Sequence, residues 1–168
     1  MADKAAFGYD ERLIWFDTPE SNTSASVIVF IDIALPSHLT LRVDAHWSSL
    51  DIADWTGVVT VESSHGTVGV FGCSGETNVT ASHESVLTFC GKKGHVRLVG
   101  GQLVELKLTA NRFEGTLQAV ASGDIRLLAP KAFEQEISVG GHSPNLQSEG
   151  GTSIRLHTLM GLVSVAHY

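Results

Sequence analysis

Apolar residues return in this chain every 18 or 19 positions, and that period restricts the fold more than any motif does. Leu50, Val68, Leu87, Leu106 and Ile125 make one series, with steps of 18, 19, 19 and 19. Two places on, Ile52, Val70, Phe89, Leu108 and Leu127 keep the same steps. Half a period away, Val43, Val61, Val79, Leu98 and Leu117 make a third series. Each period holds two alternating runs of about 4 to 6 residues, split by glycine or polar turns, and such short strands cannot bury their inward faces alone. Stacked as successive coils about 4.8 Å apart, they align like residues into apolar ladders and pair each backbone with the next coil. The expected fold is all-β: a single-domain β-solenoid with two short strands per coil of 18 or 19 residues. Gly57, Gly75 and Gly94 recur in the same rhythm, as tight corners require.

The ends break the rhythm. Residues 1–26 carry Phe7, Tyr9, Leu13, Ile14, Trp15 and Phe16, read as an aromatic cap in strand form over the first coil, with a short helix as the other option. Residues 27–139 are assigned to the repeat coils, starting from a strand at 27–34 and a lead-in through Pro36. The glycine-rich stretch 140–151 reads as a loop, and 152–168 as a closing strand pair.

Composition sorts the partners. With 17 Gly, 4 Pro and 43% hydrophobic residues among 168, the chain suits β-structure. Its net charge of −7 disfavours nucleic acid, and its longest apolar run, 27–31, is too short to span a bilayer. Two cysteines are no disulfide framework, and no secretion signal opens the chain; a cytoplasmic location is the expectation.

The segment ASGDIRLLAP, 121–130, and more loosely HGTVGVFG around Thr67, resemble the adhesin-like β-strand-repeat family, a bacterial domain group largely of unknown function. The lead-in IALPSHLTLRV and the closing SIRLHTLMGLVSV also look like that family's first and last strands, so the resemblance spans roughly residues 27–165. It implies a β-solenoid that binds or adheres, and it carries over no catalytic residue. Relatives are commonly exported or membrane-tethered, whereas this sequence shows neither signal nor anchor.

Candidate chemistry is sparse. His46, His65 and His83, continued by Gln102, are spaced to meet at one corner, where a metal or proton-transfer column is one reading and exposed corner histidines the plainer one. No CxxC or HExxH is present, and no metal is assigned. Cys90 sits at a strand position and Cys73 near a corner, where Lys92 would be the cation to activate it; packing is the plainer role for both. The segment GCSGE is a turn, the sequons at Asn22 and Asn78 read as coincidence, and Glu134 and Glu136 read as a solvated strand face. The aromatics remain. Trp15, Phe16, Trp47 and Trp55, with His46 and Arg42 as polar contacts, could line an apolar cleft or merely cap the first coil.

Two functions follow from different classes. The first is a non-catalytic β-solenoid that binds a protein partner or self-associates into a homo-oligomer. The alternative is a cofactor-free cyclase, closing rings on an apolar polyketide-like substrate by shape and orientation in the aromatic cleft. No cofactor is expected for either, and no catalytic residue is identified.

Overall fold

The computed structural model describes residues 6–9, 14–17, 33–82, 84–132, 137–140 and 153–168. Of the features singled out above, Leu13, Asn22, His83, Glu134, Glu136, residues 27–32 of the strand expected at 27–34 and residues 141–151 of the expected loop lie outside those residues. The chain divides into two compact units, Met1–Ala34 and Leu35–Tyr168. In the first, β1 (Ala6–Tyr9) and β2 (Ile14–Asp17) form an antiparallel pair in which Phe7 faces Phe16 and Gly8 faces Trp15 along the backbone. The aromatic N-terminal segment is therefore strand rather than helix at these residues.

The second unit is the parallel β-solenoid, with about five turns of roughly 19 residues and no helix among the described residues. Strands β3 (Leu41–Ala53) and β4 (Val59–Phe71) each run along one face, bend, and continue along the other. Thereafter the two faces are built by separate strands. The first face continues from the start of β4 through β5 (Glu76–Ala81), β7 (Lys93–Val99) and β9 (Glu114–Ala121). The second continues from the end of β4 through β6 (Ser85–Gly91), β8 (Leu103–Leu108) and β10 (Asp124–Ala129). We call the bend from first to second face the outbound corner and the other the return corner.

Alternation decides what lies inside. Successive side chains of a strand point to opposite sides, so Val59, Val61, Val68 and Val70 of β4 face the core while Glu62 and Thr67 do not. Stacked in register, such residues form the expected ladders: Leu50 on Val68 on Leu87, and Val43 on Val61 on Val79 on Leu98. Most members are buried completely, and each fully buried aliphatic side chain contributes about 1.5–3 kcal/mol.

The ladders then depart from even spacing. Leu87 faces Val104, not Leu106, and Phe89 faces Leu106, not Leu108; β10 restores the rhythm by placing Ile125 on Val104 and Leu127 on Leu106. On the first face, Leu98 faces Ala119, and Leu117 faces Val96. The steps are 17 and 21 where even spacing predicts 19 and 19. A slip of two residues keeps every side chain on its own face, so Val104, Leu106 and Leu108 are all fully buried and the apolar pattern alone is indifferent between registers. The corner lengths decide: residues 100–102 make a short outbound corner, and residues 109–113 a long return corner filled by the buried Phe113.

Glycine makes one corner stack possible. A Cβ on Gly75 would lie 2.0 Å from the Gly57 carbonyl oxygen, and one on Gly115, whose φ is +124°, 2.1 Å from that of Gly94. Gly115 belongs to the glycine column of the return corner, although its step of 21 from Gly94 hides it from a search at 18 or 19.

The chain end is reordered. Strand β12 (Ser153–Thr158) pairs with β9, and β11 (Ile137–Gly140) pairs with the far side of β12. Strand β12 thus lies between β9 and β11, so the later strand lies inside the earlier one in the stack. Ile154 and Leu156, both buried, continue the Leu117 and Ala119 ladders, and the Thr158 hydroxyl donates to the Gly123 carbonyl at 2.6 Å. On the second face β13 (Val163–His167) pairs with β10.

Candidate functional site at the outbound corner

The first outbound corner is turned by His46, Trp47 and Ser48, the second by Ser64, His65 and Gly66. Trp47 and His65 both adopt left-handed backbone, with φ of 52° and 61°. That region is unfavourable for bulky side chains, and its occupation at equivalent positions of two coils throws both rings outward from the bend. The rings stack in parallel, with centroids 4.0 Å apart and planes within 2°.

The stack continues into the third coil. His65 Nε2 lies 2.9 Å from a Glu84 carboxylate oxygen, and the His65 backbone N–H donates to Ser82 Oγ at 3.1 Å. Because a carboxylate only accepts, Nε2 carries the proton; Nδ1 is buried without a partner. A shallow, open recess runs beside this ladder, lined by Trp47, Ser48, Ser49, His65, Gly66 and Glu84. Trp47 is 78% exposed.

The predicted histidine column is corrected here. His46 stands over Ser64, and its Nδ1 is hydrogen-bonded to the Ser64 hydroxyl, whereas Trp47 stands over His65. The coil step at this point is 18 and the spacing from His46 to His65 is 19, so the two histidines fall in adjacent columns. Among the described residues, no group of three or more His, Cys, Asp or Glu is placed to hold a metal ion.

The remaining candidates are spread over the solenoid. Arg42 lies on the outer side of the first face, within 3.4 Å of Glu62 and 3.8 Å of Asp44. These are surface pairs of small energetic weight. Trp55 is at the opposite, return corner, 7% exposed, where its indole N–H donates to the Leu39 carbonyl at 2.8 Å. It is a core side chain that closes the corner. Trp15 and Phe16 belong to β2 in the other unit, and the structure describes their backbone pairing alone. Glu84, Ser48 and Ser49 did not emerge from sequence reasoning, since exposed Ser and Glu carry no periodic signal.

Cys73 stacks below Trp55 at the return corner and is buried, 3.8 Å from the Ile52 carbonyl oxygen and 3.7 Å from that of Phe71. Burial pushes its thiol above the ordinary value of 9.0, and the Asp54 carboxylate pushes the same way against hydrogen bonds at the Trp55 and Phe71 backbone. An activated nucleophile needs the opposite surroundings.

A second exposed feature closes the last coil. Leu159, Met160 and Leu162, on the outbound bend between β12 and β13, are 58%, 88% and 76% exposed. Their backbone is nonetheless tied down: Leu159 N–H donates to the Ala121 carbonyl, Gly161 N–H to Thr158 Oγ1 at 2.8 Å, and Leu162 N–H to Asp124 Oδ1 at 3.0 Å. Val165 of the adjoining strand is also exposed.

No family model, no curated protein and no solved structure matches this chain.

Proposed function

We propose that this protein is a non-catalytic β-solenoid module that self-associates through the bend between β12 and β13. The observation that carries this reading is the pairing of exposure with rigidity at residues 159–162. Three large apolar side chains face water on a backbone fixed by three hydrogen bonds. Docking such a surface buries apolar area without the cost of ordering a loop, and each side chain fully covered contributes about 1.5–3 kcal/mol. Beside it, β13 ends the second face, and no described strand pairs with its far edge, so backbone donors and acceptors stand next to the apolar bend. The resemblance of ASGDIRLLAP to adhesin-like repeats agrees with a binding role.

Light scattering during gel filtration, over a roughly hundredfold range of concentration, tests the reading. The wild-type chain is expected to move from monomer toward a dimer or larger assembly. The double substitution Met160→Glu and Leu162→Glu is expected to stay monomeric with an unchanged circular dichroism spectrum. A wild-type chain that remains monomeric throughout would refute self-association.

A further inference from the structure

The geometry points to a second binding site, at Trp47, whose ligand class is a neutral saccharide. A tryptophan at 78% exposure is normally free to swing; this one is held. Its left-handed backbone sets the direction of the side chain, one indole face rests on the parallel His65 ring, and His65 is anchored by Glu84 and by the Ser82 hydroxyl. Three successive coils thus fix one ring. Preorganisation of this kind lowers the entropy lost on binding, and it leaves the other indole face open as a flat apolar platform.

The surroundings select among ligands. An apolar molecule would remain largely in water, because the recess is shallow and open. A phosphate-bearing ring would meet the Glu84 carboxylate and a chain of net charge −7. A protein hot spot prefers a dry, apolar surround, whereas the recess beside Trp47 is lined by Ser48, Ser49, His65 and Glu84. A pyranose matches both parts of the site. Its C–H face stacks on the indole, and its peripheral hydroxyls meet the Ser48 and Ser49 hydroxyls and the edge of the recess. His65 and Glu84 act as positioning residues: His65 holds the indole from its stacked face, and Glu84 holds His65.

The probes are cellohexaose, mannohexaose and chitohexaose, titrated into the whole chain by calorimetry, with saturation-transfer NMR to identify the protons in contact. We expect at least one to bind, with transfer concentrated on ring C–H protons. Trp47→Ala should weaken it at least about tenfold, and Trp47→Tyr should retain part of the affinity. Glu84→Gln should weaken it less than Trp47→Ala and broaden the indole side-chain resonances, a loss of ring order that a ligand-contacting carboxylate would not cause. The Trp47 side chain is external, so both Trp47 variants should melt within a few degrees of wild type, which separates lost binding from lost fold. Absence of binding by all three oligosaccharides would overturn the proposal, as would undiminished binding by Trp47→Ala.

Discussion

Substituting Gly100 by alanine should damage this solenoid far more than the same change at Gly69, although both sites are crowded. At Gly100 the new Cβ would lie 1.9 Å from the Ala81 carbonyl oxygen and 2.9 Å from its carbon, and the backbone φ is +95°. The obstructing atoms are backbone of the coil below, and Gly100 N–H donates to the Val120 carbonyl of the coil above at 2.8 Å. Relief requires the coil spacing to open. A left-handed alanine costs about 1–2 kcal/mol and overpacking about 1–3, so the loss is roughly 2–5 kcal/mol. For a chain of this size each kcal/mol lowers the midpoint by about 2–4 °C, which gives a fall of roughly 4–20 °C. At Gly69 the Cβ would lie 2.4 Å from Asp51 Oδ1 and 2.4 Å from Phe71 Cε2, both at the ends of outward side chains that can turn away. There the change should stay within about 1 kcal/mol, since alanine also restricts the unfolded chain. Thermal and guanidinium melts followed by far-ultraviolet circular dichroism measure both. Equal destabilisation by the two substitutions would refute the argument that backbone contact between coils sets the cost.

Cys73 should make stability fall in alkali. Its folded-state pKa is raised by burial, so above the ordinary thiol value of 9.0 the unfolded chain releases a proton that the folded chain keeps, and the equilibrium shifts toward unfolding as pH rises. Below that value the effect vanishes; a Cys73→Ala variant should lose less stability than wild type between about pH 8.5 and 10 in guanidinium titrations. Trp55→Phe removes the indole N–H that satisfies the Leu39 carbonyl at the return corner, and should cost about 1–3 kcal/mol by the same titrations while far-ultraviolet dichroism is unchanged.

Particular residues show how far the sequence reaches. Alternation at period 2 assigns Val59, Val61, Val68 and Val70 to the interior because a strand turns each side chain through half a revolution, a purely local rule. The 18- to 19-residue repeat then determines the stacking of equal coils, so the β-solenoid itself was legible, as were the first ladders. The register beyond Leu87 was not. Parity is preserved under a slip of two, and only the lengths of the folded corners at 100–102 and 109–113 choose between Val104 and Leu106 as its partner. Nor does chain order reveal that β12 lies inside β11, since both present alternating apolar residues and the contacts of Ile154, Leu156 and Thr158 with β9 and its corner decide between them. The candidate site divides in the same way. Trp47 and Trp55 are alike as residues in a sequence, yet one coil carries them to opposite corners, where a left-handed backbone turns Trp47 out to water and a carbonyl partner holds Trp55 in the core. Composition and periodicity determine which residues seek the interior; the bends, which depend on contacts between coils, decide which of two equal side chains is left outside.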